Sequence, residues 1–229
     1  MNDKNLQKKR AAKAAVEHIE TGQVVGIGSG STVEYFIELL KERMISEKLK
    51  IKAVPTSYQS ALLLTQNQIP LTTLNEHPEL DLAVDGADEI DPALNLVKGG
   101  GAALTQEKIV DSMAKKFIII ADESKQVKKL GEKMPIPIEI IPMSVKSVMI
   151  KLRSYTLEFN LREAIKKMGP VITDNGNFII DAKITDIKNL KQLELELNGI
   201  PGVIENGLFI EMADIVYIGS KEGIIKLPS

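Results

Sequence analysis

The chain has 229 residues, no cysteine, no tryptophan and two histidines, with 29 basic against 31 acidic side chains and a formal net charge of -2. Without cysteine there is no disulfide framework, thiolate nucleophile, iron-sulfur cluster or sulfur-bound zinc, and nothing points to an oxidising compartment. His18 and His77 stand far apart, and neither supplies the i, i+4 pair of a helical metal site, so acid-base chemistry must rest mainly on carboxylates and lysines. Near-neutral charge with five Phe and four Tyr argues against a nucleic-acid surface, which needs a basic face and stacking platforms. The 44% of apolar residues can build a sizeable core for one or two domains. The N-terminus carries lysines but no apolar signal core, and no apolar run approaches the roughly 20 residues that span a bilayer. Cytoplasmic residence is the default expectation.

Taken in chain order, the first 125 residues alternate helical and extended signals, the pattern of a parallel α/β sheet. Leu6, Ala11, Ala14, Ala15 and Ile19 share a helical stripe that ends at Thr21-Gly22. An extended run from Gln23 to Ile27 breaks into GSGST, after which Val33, Phe36, Ile37 and Leu40 repeat at helical spacing. Strands are expected at Lys50 to Val54, near Leu71 to Leu74 and at Leu80 to Val84, with a helix from about Ser57 to Gln66. KGGGAALTQEKIVDSMAKKFIIIADESK reads as glycine turn, helix, strand and polar turn. Beyond Gln126 the texture changes. PIPIEIIP reads as a proline-punctuated strand, unlikely at the centre of a sheet unless the proline stands beside the strand's first residue, or else at an edge, and Asp174-Asn175-Gly176-Asn177 between the apolar runs Val171-Ile172 and Phe178-Ile179-Ile180 signals a hairpin. Helical stretches at Ser144 to Leu152 and Ile187 to Leu197 alternate with these strands, so a small α+β insert is expected, and Asp214 to Ile218 could rejoin the first sheet. The expected division is 1–127 plus 205–229 for the sheet domain and 128–204 for the insert.

Three polar clusters each begin where an apolar extended run stops: GSGST after VVGI, DGADEID after LDLAV, and ADESK at the end of FIII. In a parallel sheet all three fall at the carboxyl edge, where open α/β proteins bind ligands. The GSGST loop superficially resembles a dinucleotide fingerprint, but its last position is Ser31 and no acid stands about 20 residues on. Its glycines and following helix suit a compact anion such as a phosphate monoester; an ordinary tight turn with Thr32 as N-cap is the alternative. Asp85-Gly86-Ala87-Asp88-Glu89-Ile90-Asp91 packs four carboxylates into seven residues, without EF-hand spacing. It reads as acceptors for sugar hydroxyls, a magnesium site, or a solvated acidic turn. Lys98-Gly99-Gly100-Gly101 favours close approach to a ligand, because three glycines cost backbone entropy that a mere loop seldom requires. Glu107 follows on the margin of an apolar helical sector with Ala103, Val110 and Ala114. Partial desolvation there would move its pKa up, as a general base needs, while an exposed glutamate paired with a lysine is the plain alternative. Lys125 closes the third cluster, and Lys8 in the basic run Lys8-Lys9-Arg10 reads as a solvated face rather than a phosphate contact.

With GSGST, DGADEID, KGGGAALTQEKI and ADESK in this order, joined by IPIEIIPM, ITDNGN and IPGVIENGLF, the chain closely resembles the A-type ribose-5-phosphate isomerases over nearly its whole length. The resemblance implies a Rossmann-like parallel-sheet domain, a smaller ferredoxin-like α+β domain and a homo-oligomer, dimer or tetramer. It implies interconversion of D-ribose 5-phosphate and D-ribulose 5-phosphate in the non-oxidative pentose phosphate pathway, with no metal or organic cofactor and neither nucleic acid nor membrane as partner. By the same resemblance Glu107 is the general base, Lys98 stabilises the developing oxyanion and Asp85 assists ring opening. Asp88, Gly86, Ala87, Gly99, Gly100 and Gly101 look like sugar contacts, Ser29, Gly30, Ser31 and Thr32 like the substrate-binding turn, and Lys125 like a contact to the phosphate end. Ser29 stands where the family often has threonine, which keeps the hydroxyl and bears on affinity. A sugar-phosphate deaminase or lactonase would commonly need a catalytic histidine, and a non-enzymatic sugar-phosphate sensor would have no use for Glu107 beside Lys98.

Overall fold

Helix α1 (Asp3–Val16) opens the chain and buries Gln7, Ala11, Ala12, Ala15 and Val16. Leu6 is exposed instead, because the inward stripe passes through Gln7, whose amide donates to Glu123 Oε1 at 2.7 Å. There follow β1 (Val24–Ile27), α2 (Ser31–Ser46), β2 (Lys52–Pro55), α3 (Tyr58–Gln66) and β3 (Leu82–Asp85), then the short pair β4 (Glu89–Ile90) and β5 (Leu96–Val97). Next come α4 (Leu104–Ser112), β6 (Phe117–Asp122), β7 (Ile136–Ile140), α5 (Val145–Leu152), β8 (Phe159–Leu161) and β9 (Phe178–Ala182). Helix α6 (Leu190–Asn198) precedes β10 (Val203–Asn206), β11 (Leu208–Phe209), β12 (Ile215–Gly219) and β13 (Ile224–Leu227). These elements come from a computed structural model that describes residues 3–184 and 187–228. They group into two units, Met1–Ala87 with Gln106–Lys125 and Met212–Ser229, and Asp88–Thr105 with Gln126–Glu211.

The first unit holds a six-stranded sheet in the order β13-β12-β6-β3-β1-β2. Five strands run parallel and only β13 is antiparallel. Val25, Ile27, Val84, Ile118 and Ile120 are buried in its core, which is why these strands read as continuous apolar runs rather than alternating ones. From β1 the chain proceeds to β2 on one side, whereas β3, β6 and β12 follow on the other. The strand order therefore reverses between β1 and β3, the kind of point where open α/β sheets bind ligands. The expected strand at Leu71 to Leu74 does not form. Leu71 makes a single bridge to Ala53, and the preceding Pro70 has no N–H with which to extend a ladder.

The second unit runs β7-α5-β8-β9-α6-β10 with sheet order β10-β7-β9-β8 and every pairing antiparallel, the β-α-β-β-α-β ferredoxin-like arrangement. Strands β11, β5 and β4 form a separate small sheet. The parallel sheet with a smaller antiparallel α+β unit is the fold class expected from the sequence. Of two local expectations one was met and one overturned. Pro137 sits in β7, a central strand, directly after its first residue Ile136, one of the two places the sequence left open to it. Its carbonyl accepts from Gly207 N at 2.8 Å where the β10 ladder has just ended at Asn206, so the missing N–H falls beyond the last pair and leaves no acceptor of the ladder unmet. The Asp174 to Asn177 segment does make a tight turn, closed by Thr173 N to Asn177 O at 2.9 Å. Val171 and Ile172 form no strand, because both edges of β9 are already taken by β7 and β8. Among the described residues no helix is long and apolar enough to cross a membrane.

Candidate active site

At the reversal point of the first unit, β1 gives way to the GSGST turn and β3 ends on Asp85. Gly28 N donates to Val84 O at 2.9 Å, which carries the β1–β3 ladder to the edge of the turn. Asp85 is fully buried, and its Oδ1 accepts from Ser29 N at 3.1 Å and from Gly86 N at 2.6 Å. The first two polar clusters thus meet. Gly30, with φ 95°, is the N-cap of α2, and no side chain caps the helix. Thr32 is inside the first turn and is not the cap. The amides of that turn are left to a ligand or solvent. The Ser29 hydroxyl is taken up by Thr56 Oγ1 at 2.9 Å and Ser57 Oγ at 2.6 Å. Ser31 Oγ accepts from Lys8 Nζ at 2.7 Å. Lys8, read from the sequence as a solvated face, therefore stands at the turn and adds positive charge there.

The four carboxylates of DGADEID divide their labour. Asp91 accepts from Ala93 N, Asn95 N and Asn95 Nδ2, each within 3.0 Å, a local turn lock. Glu89 is fully buried and accepts from the backbone N–H groups of Gly131, Lys133 and Met134 at 2.6, 2.5 and 2.8 Å. These two acids hold loops. Asp88 is only half-buried and accepts from Gly100 N at 2.7 Å, which brings the acidic segment to the glycine turn inside the second unit. No group of three or more His, Asp or Glu with metal-binding geometry occurs among the described residues.

Lys98 directly follows β5, is 2% exposed and holds its ammonium 5.3 Å from the centre of the Phe209 ring. A desolvated cation over an aromatic face is held in orientation by the ring quadrupole. Gly99 follows with φ 101°, a conformation that L side chains rarely adopt. Arg162 completes the turn: Nε and Nη2 hold Asp181 at 2.7 and 2.5 Å, and Nη1 donates to the carbonyls of Gly99 at 2.8 Å and Gly100 at 3.2 Å. Neither Arg162 nor Phe209 stood out in the sequence as a site residue: Arg162 lies outside any motif, Phe209 only closes IPGVIENGLF, and both are far in number from what they touch.

Back in the first unit, Glu107 lies in the first turn of α4 at 6% exposure, deeper than its place on the margin of an apolar sector suggested. Lys125 ends a single 3-10 turn directly after β6. That turn is tied to α1, for Glu123 receives Gln7 and Asp122 lies 3.8 Å from Lys4 Nζ. The row Lys4, Gln7, Lys8 on α1 thus faces the carboxyl edge of the sheet, by the i, i+3, i+4 geometry of a helix.

A parallel sheet whose order reverses beside a buried aspartate, with acid-base side chains at its carboxyl edge and a ferredoxin-like unit in the same chain, defines the class as a two-unit α/β enzyme. Its family follows from comparison with known proteins. The chain belongs to the ribose 5-phosphate isomerase A (phosphoriboisomerase A) family, whose model matches residues 52–223. It is 52% identical over 221 residues to ribose-5-phosphate isomerase A of Pyrococcus horikoshii, covering 96% of each chain. A solved D-ribose-5-phosphate isomerase in complex with phospho-erythronic acid superposes with a TM-score of 0.96 at 51% identity, covering 99% of both chains. The isomerase of Methanocaldococcus jannaschii gives 0.93 at 47% identity, covering 97% of this chain and 98% of that one.

Proposed function

We propose that this chain interconverts D-ribose 5-phosphate and D-ribulose 5-phosphate through an enediolate, without metal or organic cofactor, as a step of the non-oxidative pentose phosphate pathway. Family membership across nearly the whole chain carries the reading. In the opened aldose, the Glu107 carboxylate removes the proton from C2. The electron pair forms the C1=C2 bond, and the carbonyl electrons move onto O1. Lys98 stabilises that oxyanion, electrostatic help of the kind that is commonly the largest catalytic contribution. The proton on O2 passes to O1, the carbonyl reforms at C2, and Glu107 returns its proton to C1. One carboxylate suffices because C1 and C2 present the same face of a cis-enediolate, and no imidazole is needed. Asp85 assists opening of the furanose ring. Asp88 and the Gly86-Ala87 and Gly99 to Gly101 backbones contact the sugar. Ser29 to Thr32 form the substrate-binding turn, and Lys125 serves the phosphate end. The burial of Glu107 and Lys98 supports their roles, since both charges lie in surroundings that strengthen electrostatic interaction.

The test is to incubate the pure protein with ribose 5-phosphate and a chelator and to assay ribulose 5-phosphate. Ketose formation is expected. Binding without ketose would make the chain a sensor, and activity abolished by chelator would overturn the cofactor-free mechanism.

The same reading makes the protein a homo-oligomer, dimer or tetramer. Met143, Leu157, Ile165 and Met168 on the second unit are each more than four-fifths exposed, and covering such large apolar side chains in an association would be favourable. Light scattering that gives a monomer at micromolar concentration would overturn it.

A further inference from the structure

We infer that Arg162 is a positioning residue for the substrate turn, orienting the Gly99–Gly100 and Gly100–Gly101 peptide planes so that the N–H groups of Gly100 and Gly101 point away from its guanidinium. The inference deepens the proposed site and rests on the assignment of that turn to the sugar.

Arg162 follows β8, and its backbone N–H donates to Ile179 O at 2.8 Å, which continues the pairing with β9. From there the side chain meets Asp181 of β9 fork to fork, at 2.7 and 2.5 Å. A bidentate pair fixes the guanidinium plane as well as its position. The nitrogen left over, Nη1, is then aimed at two consecutive carbonyls, Gly99 O at 2.8 Å and Gly100 O at 3.2 Å. Surface ion pairs seldom do more than pair; this one also turns its third nitrogen onto the backbone of a glycine turn.

The consequence follows from peptide planarity. In a trans peptide the carbonyl of one residue and the N–H of the next point in opposite directions, and the only cis bond among the described residues is Leu227-Pro228. Holding Gly99 O toward Arg162 therefore sends Gly100 N–H the other way, where Asp88 Oδ2 receives it at 2.7 Å. Holding Gly100 O sends Gly101 N–H away from the guanidinium, and Gly101 is exposed. With no side chains on three successive residues, nothing local fixes these planes. A cation on the two carbonyls also polarises the amides conjugated to them, strengthening them as donors. The ligand chemistry that fits is a hydroxyl or oxyanion of the sugar, taken by Gly101 N–H.

The experiment compares Arg162→Ala, Arg162→Lys and Asp181→Asn with the parent protein in ribose 5-phosphate turnover and in thermal melting. Arg162→Ala is expected to lower kcat/KM by about 10- to 100-fold, the scale of a sub-ångström misplacement. Guanidinium ion at tens of millimolar should restore part of that loss saturably and leave the parent unchanged. Arg162→Lys should fall between, and Asp181→Asn, which keeps the arginine but loosens its plane, should lose less than Arg162→Ala. A kcat/KM for Arg162→Ala within twofold of the parent overturns the inference. So does a loss that neither guanidinium nor lysine relieves, because that marks a merely structural ion pair. Failure of the isomerase reading shows separately, as absence of turnover in the parent. In that case calorimetric binding of ribose 5-phosphate to parent and Arg162→Ala carries the same comparison, with equal affinities overturning the inference.

Discussion

Asp85 occupies the space that a side chain at Gly28 would need: a β-carbon built on Gly28 would stand 1.9 Å from Asp85 Oδ1. The glycine directly after β1 is therefore what lets the buried aspartate ending β3 lie under the GSGST turn and accept from Ser29 N. Gly28→Ala is expected to displace the Asp85 carboxylate and cost about 1–3 kcal/mol, the range for overpacking a filled site. It should also lower kcat/KM at least about tenfold. Urea unfolding and steady-state kinetics check both, and an active, fully stable alanine variant would show that Asp85 has no fixed position to lose.

Removing the charge and basicity of Glu107 should separate chemistry from binding. Glu107→Gln is expected to lower kcat by at least about 10²-fold while KM changes little. Near-normal turnover would remove Glu107 from the role of base.

The acid of DGADEID that matters most for stability is expected to be one with no catalytic part. Glu89→Ala removes the fully buried acceptor of the Gly131, Lys133 and Met134 N–H groups, of which the Gly131 bond is itself buried. A loss of about 1–3 kcal/mol follows from leaving donors without their acceptor. Activity per folded molecule should survive. Chemical denaturation with active-site titration distinguishes this from a catalytic defect.

His18 Nε2 lies 2.8 Å from the Tyr217 hydroxyl. Burial, with Lys116 and Lys226 nearby, holds its pKa below the ordinary histidine value. The folded protein thus binds this proton less readily than the unfolded chain does. The contribution to stability is complete above the unfolded pKa of about 6.5 and is lost as pH falls below it toward the lower folded value. Unfolding free energies measured from pH 7.5 to 5 should drop more steeply for the parent than for His18→Gln. Parallel curves would rule out this linkage.

Much of the sheet was legible because a parallel strand buried on both faces leaves a continuous apolar run, and VVGI, LAV and FIII are such runs. Their polar ends marked the carboxyl edge, and with it the neighbourhood of Ser29, Asp85 and Lys125. The antiparallel small unit was harder to read. Pro137 left open an edge strand or a place beside a strand's first residue, and nothing local reveals that β10 stops one residue short of needing its N–H, which is what admits the proline to a central strand. Asn175-Gly176 signalled a turn correctly, but the partner strand it implied had no free edge on which to form.

By itself the sequence determined the strand-turn-helix units, the motif order that identifies the family, and the absence of thiol or paired-imidazole chemistry, all of which depend on residue type and short spacing. Only the tertiary structure decided which carboxylate holds a loop and which stands at the edge, that Lys8 reaches Ser31, and that Arg162 grips the glycine turn 63 residues before it. Four acids in one short segment are alike in sequence. What distinguishes them is which backbone N–H groups the fold brings near, and that is a property of distant chain segments meeting, which no local pattern records.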